Sequence, residues 1–415
     1  MTGAAAVADL AGIYRDLHAH PELAFHENRT AGIVAAGLRD LGYETTSGVG
    51  QTGVVGVLKN GAGPTVLLRA DMDALPVRER TGLAYASTVV GADGDGKDVP
   101  IMHACGHDMH VTCLLGAAAE LATDAASWRG TLLLVFQPAE EKGAGAQAMI
   151  DDGLYDRFGV PEVVLGQHVS PLPAGLLGLR TGPAFAGSDS LRVVLHGRGG
   201  HGSRPETTVD PIIMAAATVQ RLQGIVSREV AATETAVVTV GALHAGTTEN
   251  IIPDEAELLL SVRTYNETVR AKTLAAIERI VRGESITSGA PTDPEITLLG
   301  SFPPVVNDEA ASARVADAFA RGLGQGLVMD PGLVTGSEDV GLLATAAAAP
   351  CVYWLLGGAD PALFAQVSSI AEAVAIIRSL PSNHSALFAP VIEPTLRTGV
   401  TALTSAARAF LPAPD

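Results

Sequence analysis

The chain has 415 residues, too many for one ordinary domain and enough for two with sizeable cores. Apolar residues make up 47% of it and charged residues 17%, the balance of a globular rather than a disordered protein. Acids outnumber bases 45 to 27, and the net charge of −18 repels phosphate backbones and anionic membrane surfaces, which argues against nucleic-acid and membrane partners.

The opening run MTGAAAVADLAGIYRDLHAH has no basic start and Asp9 interrupts its apolar stretch, so neither a signal peptide nor an anchor is readable there. No later stretch offers the ~20 uncharged apolar residues of a spanning helix. Short β-branched runs then alternate with helical patterns: TGVVGVL at 52–58, PTVLLRA at 64–70, TLLLVFQP at 131–138 and VVLGQHV at 163–169. Nearly continuous apolar strands separated by helices predict an α/β domain with a mainly parallel central sheet covered on both faces. The helix VTCLLGAAAELA at 111–122 is apolar almost all round and should be buried against that sheet.

From about 184 the texture changes to strand-like LRVVLHG, AVVTVGAL and AELLLSVRT, with one helix starting at Asp210-Pro211 and another over roughly 267–282. This predicts a compact α+β insert, 184–298, between the two parts of a first domain, 1–183 and 299–415. The second part carries a buried strand, CVYWLLG at 351–357, and a closing helix near 395–410. The cysteines, Cys105, Cys113 and Cys351, are odd in number, which points to reduced thiols and a cytoplasmic location rather than a disulfide framework.

In open α/β sheets functional residues gather at the carboxyl ends of strands. Asp71 and Asp73 follow one predicted strand, Glu140 and Glu141 another, and His168 ends a third. The segment MHACGHDMH puts His103, Cys105, His107, Asp108 and His110 within nine positions just ahead of a helix. Thiolate and imidazole together suit zinc, or manganese or cobalt if carboxylates join them. A single histidine there would more simply be a buried cap; five potential ligands in one loop favour a metal, with Cys105 and His107 the preferred pair. Adjacent side chains at a strand end diverge, so one of Glu140 and Glu141 can bind metal while the other handles a proton. Asp71 and Asp73 fit a supporting role beside a metal and a structural ion-pair cluster equally well.

The chain resembles the metallopeptidase-like amidohydrolases that include hippurate hydrolase, bacterial aminoacylases and plant hydrolases of indoleacetyl amino acids. The resemblance runs through RDLHAHPELAFHE, RADMDALP, MHACGHDMH, FQPAEEKGAGAQAMIDDGL, HGRGGHGSRPETTVDPI, ENIIPDEAEL, SVRT, GSED and NHSALF. It implies two divalent ions per subunit, held by Cys105, His107, Glu141, His168 and His384 with the thiolate bridging. It implies Glu140 as general base and Asp73 as the acid beside the metals. The insert resembles the family's ferredoxin-like lid and dimerisation domain, where His201 would steady the oxyanion. Asn250 and Arg263 would hold the substrate's polar end, and Glu338 would lie near the pocket. Two departures stand out: Val340 replaces an aromatic residue, and Lys142 a small one.

These readings together imply metal-dependent hydrolysis of the amide bond of N-acyl amino acids or similar small amides by a homodimer or higher homo-oligomer. A dipeptidase or carboxypeptidase is the alternative, and a non-catalytic metal-binding module is disfavoured because it has no use for Glu140.

Overall fold

The computed structural model describes residues 9–94 and 96–414. The first eight residues, part of the run read for a leader, lie outside that range. The chain divides into two compact units. One comprises the described residues to Gly182, Val306–Gly332 and those from Asp339 onward, the other Pro183–Val305 and Leu333–Glu338.

The first unit is built on an eight-stranded sheet in the order Glu44–Val49, Gly53–Asn60, Gly130–Gln137, Thr65–Asp71, Val163–Pro173, Cys351–Ala359, Leu177–Gly178, Val328–Met329. Its middle four strands, Gly130–Gln137 to Cys351–Ala359, are mutually parallel. Gly53–Asn60 joins them antiparallel on one side and Leu177–Gly178 on the other. The middle strands read as continuous apolar runs because helices leave neither face wet. Leu132, Leu134, Leu68, Leu165 and Trp354 are fully buried in one core with helix residues Leu114, Ala117, Leu403 and Ala406.

The helix predicted at 111–122 begins earlier, at His107, and runs to Thr123. Gly106 precedes it with φ +85°, a left-handed conformation that glycine adopts without a Cβ clash. His107, Asp108 and His110 therefore project from the helix's first turn instead of a preceding loop, each about 100° further round the axis per residue.

The second unit orders its strands Ala236–Ala245, Glu255–Thr264, Gly187–His196, Glu295–Phe302, all antiparallel. With helices Pro211–Gly224 and Glu267–Thr287 between them, the chain traces βαββαβ, a ferredoxin-like unit. Strand Glu255–Thr264 alternates buried and wetter positions along its length, the period of a sheet with one covered face. Asp210 caps the first helix by accepting from the Ile212 amide at 2.9 Å. The short return Leu333–Glu338 packs with this unit, where Tyr265 Oη donates to Val334 O at 3.1 Å. Among the described residues no helix is long and apolar enough to cross a membrane.

Candidate metal centre

Strands Thr65–Asp71 and Gly130–Gln137 end beside the first turn of helix His107–Thr123, whereas His168, expected at a strand end, lies within Val163–Pro173, which runs on five residues further. Cys105, His107 and His168 offer ligand atoms within 4.8 Å of one another, as do Cys105, Glu141 and His384, and His107, Glu140 and Glu141. Five side chains read as ligands from sequence, far apart in the chain, thus share one cluster with Glu140. Cys105 Sγ lies 3.4 Å from His168 Nε2, and His384 Nε2 lies 3.3 Å from Glu141 Oε1. His384 is the most accessible of them, its side chain 57% exposed, and sits in left-handed backbone with φ +70°. Its amide donates to Ala104 O at 2.8 Å, tying the distant segment to the Cys105 loop.

The two glutamates do not diverge as a strand end would have them do. Ala139 leaves the strand with φ +48° and Glu140–Lys142 forms one tight turn. Both carboxylates thereby approach the same atom, His107 Nε2, at 3.9 and 3.8 Å. Asp73 anchors this turn, its Oδ1 accepting the Glu140 amide and its Oδ2 the Glu141 amide, each at 3.0 Å. Asp73 Oδ1 also stands 3.3 Å from His107 Nδ1, the placement by which a carboxylate orients a ligating imidazole.

Neighbouring groups fix the other rings. His168 Nδ1 donates to Val169 O at 2.8 Å, which leaves Nε2 as the lone-pair nitrogen turned toward Cys105. His110 Nδ1 donates to Asp71 Oδ1 at 2.5 Å while its Nε2 accepts the Val169 amide at 2.8 Å. Asp71 is held in turn by the buried Arg69 at 2.7 Å, which also reaches Asp339 at 2.9 Å. Burial would raise the Asp71 pKa, but His107, His110 and Arg69 outweigh it and hold the carboxyl well below the usual range. Asn383 Nδ2 donates to Cys105 O and Val169 O, both at 3.1 Å. Sequence reading counted His110 among five potential ligands without giving it a role and assigned none to Arg69 or Asn383; the signal for Asn383 was its position directly before His384.

In the second unit, strand Gly200–His201 pairs with Ile251–Ile252, and the Gly202 amide donates to Asn250 O at 2.8 Å. His201 and Asn250 are therefore neighbours on an exposed hairpin. His201 Nδ1 accepts from the Ser203 amide at 3.1 Å and lies 2.9 Å from Ser203 Oγ, which leaves Nε2 to carry the proton. Arg263 ends its strand by donating from Nη1 to Thr335 O at 3.0 Å and Ser337 Oγ at 2.8 Å. Glu338, 1% exposed, closes the short return segment.

Against this fold and site stand the known proteins. The class they define is a metal-dependent hydrolase of amide bonds, and residues 67–383 match the model of peptidase family M20/M25/M40. The chain belongs to that family. It is 45% identical to hippurate hydrolase of Campylobacter jejuni over 67% of this chain and 71% of that one. It is 37% identical to thermostable carboxypeptidase 1 of Saccharolobus solfataricus over 83% and 84%. A solved Bacillus subtilis structure, described as a dinuclear metal-binding peptidase of the M20 family, superposes with a TM-score of 0.76 at 29% identity, covering 97% of each chain.

Proposed function

We propose that this protein hydrolyses the amide bond of N-acyl amino acids with two divalent ions held by Cys105, His107, Glu141, His168 and His384. The observation that carries the reading is a pair of buried ligand atoms without hydrogen bonds, His107 Nε2 and Glu141 Oε1. Buried polar atoms are ordinarily paired, so atoms left over at the centre of a sulfur, nitrogen and oxygen donor set fit a cation. Burial, with Glu141 adding to it, pushes the Cys105 thiol up, so a thiolate here also calls for positive charge. The softness of this set suits zinc, manganese or cobalt.

Divalent ions in this cluster would acidify the attacking water and polarise the substrate carbonyl. Glu140 takes the water's proton and delivers it to the departing amine, and Asp73 holds its turn still by two amide bonds while it does so. His201, whose Nε2–H is the remaining donor, steadies the oxyanion. Asn250 and Arg263 bind the substrate's polar end and Glu338 lies near it. Beside Glu141 a cavity of about 150 Å³ is walled by Leu23, Ala24, Ala74, Leu75, Pro76 and Ala92. His26, Asp93, Lys142 and Glu141 also line it; a space of that size takes a benzene-sized group, and the hippurate hydrolase relative supports acyl groups up to benzoyl. The second unit serves as lid and dimerisation domain. The free, buried cysteines support a cytoplasmic location.

The test is a screen of N-acetyl, N-benzoyl and longer N-acyl amino acids against short peptides, with enzyme loaded separately with zinc, manganese and cobalt. Acyl amino acids should turn over fastest. Faster cleavage of peptides would replace this reading with the carboxypeptidase one that the Saccharolobus relative favours.

A further inference from the structure

Three consecutive amides hold the turn that presents Glu140. Those of Glu140 and Glu141 donate to Asp73, and the one before them, Ala139, donates to Glu27 Oε1 at 2.9 Å across 112 residues of sequence. Glu27 is fully buried and also accepts hydrogen bonds from the Phe25 amide at 2.9 Å and Thr52 Oγ1 at 2.5 Å. Among the described residues no cation faces it, and burial, with the Asp73 charge adding to it, pushes its carboxyl up against what these hydrogen bonds offset. A buried carboxyl without a cation is a poor stabiliser in itself. Its hydrogen bond falls instead on Ala139, which stands in left-handed backbone, φ +48°, a conformation disfavoured for any residue with a Cβ.

We propose that Glu27 is a positioning residue for Glu140, fixing the residue-139 amide so that the turn aims the carboxylate at the reacting water. The proposal rests on the reading of Glu140 as the base. Releasing the Ala139 amide lets the backbone relax toward right-handed φ and swings the next side chain. Glu141, further along the same turn, keeps its own amide bond to Asp73, so metal binding is left in place.

The experiment compares Glu27→Met with Glu27→Gln. Methionine keeps the length and loses every acceptor. Glutamine keeps Oε1 as acceptor for the Ala139 and Phe25 amides and turns its amide nitrogen toward Thr52. Glu27→Met should lower kcat roughly 10- to 100-fold, the scale of a small misplacement of a reacting group. Its KM should stay within about threefold and its metal content should be unchanged. Hydrogen exchange at the amides of residues 139–141 should quicken in the metal-free chain, a readout that does not depend on Glu140 being the base, while strand Gly130–Gln137 stays protected. Glu27→Gln should behave like wild type in both measurements. Wild-type turnover or wild-type exchange in Glu27→Met overturns the proposal, as does a Glu27→Gln enzyme slowed equally. Should Glu27→Met fail to fold, Thr52→Val loosens the same carboxyl from its other oxygen. It should show faster exchange and a smaller kcat loss at unchanged KM, and its matching wild type in both would be equally fatal.

Discussion

His18 and His107 are both fully buried in the first unit and both face carboxylates, yet they are occupied in opposite ways. His18 spends each ring nitrogen on a partner, Asp108 Oδ2 at 2.6 Å and Glu79 Oε1 at 3.0 Å. His107 has carboxylate oxygens from 3.3 to 3.9 Å away and a hydrogen bond to none of them. Asp108, partner of the first, follows His107 in sequence. Consecutive positions on a helix point about 100° apart, so one turn feeds both clusters. The difference separates a histidine that holds the fold from one kept available: what distinguishes them is whether the ring's capacity is used, with burial the same in both.

The most severe way to break this comparison is to remove what His107 is kept for. Prolonged chelation should abolish activity, and added divalent metal should restore it; full turnover in protein shown by elemental analysis to be metal-free would end the two-metal reading. Cys105 and then Glu141 hold the His384 pKa up at about 10, and burial holds the Cys105 thiol protonated. Both carry protons at neutral pH in the metal-free chain, and metal must displace them. Metal affinity should therefore strengthen as pH rises toward 10, with protons released on binding, both measurable by calorimetry in buffers of different ionisation enthalpy.

Glu140 and Glu141 approach the same His107 nitrogen, and separating them sharpens the argument. Glu140→Gln should retain metal and lose about 10²- to 10⁴-fold in kcat, the scale of a general base. Glu141→Gln should lose metal instead. Metal analysis alongside kinetics decides it, and the reverse pattern would exchange the two roles.

His201 is the third kind of histidine, exposed and hydrogen-bonded within its own hairpin, and its proposed part as oxyanion donor can be tested by itself. His201→Ala should cost about 10²- to 10³-fold, the loss typical of one oxyanion donor. If the neighbouring subunit supplies it, mixing Glu140→Ala with His201→Ala chains gives one intact site per mixed dimer. Half the dimers are mixed after random exchange, so activity should return to about a quarter of wild type. A tagged chain recovering its untagged partner verifies exchange; exchange without recovery assigns His201 to its own subunit.

Sequence patterns carried the parallel strands, because burial on both faces leaves a local apolar run, and the second unit, because its strands alternate. The chemistry of MHACGHDMH was legible for the same reason: its donors are neighbours in sequence. What was illegible is pairing over long separations. An ion-pair cluster around Asp71 was one of two open readings, but nothing local named Asp339, 270 residues on, as the partner that Arg69 meets in the core. The 333–338 return to the second unit has no periodicity to betray it, and the helix start at His107 was hidden because polar residues in a first turn look like a loop. The turn that brings Glu140 and Glu141 together depends on Ala139 adopting a backbone conformation that its residue type does not advertise.

The smallest effect falls on the other half of the comparison, where His18 predicts a change in stability with no part for metal. Burial alone would lower its pKa, but Asp108 and Glu79 outweigh that and raise it to about 10. A group raised in the folded state stabilises fully below its unfolded value, near 6.5, and loses that contribution as pH climbs through 10. Against the burial that would raise them, Asp108 is held below its ordinary value by His103 and then His18, and Glu79 by His18, Thr81 and the Ser87 amide, so their share is present at neutral pH and is lost on acidification. Wild-type stability should thus decline from about pH 6.5 to 10 more steeply than that of His18→Gln, which lacks the titrating ring. At pH 6.5 the substitution should cost about 3–5 kcal/mol, because it leaves two buried carboxylates without their cation. By pH 10 the two unfolding curves should have drawn together. Denaturant titrations of the metal-free chains across that range measure it. Parallel curves at every pH would mean that the His18 ring is neutral in the fold, and that its contacts with Asp108 and Glu79 are ordinary hydrogen bonds.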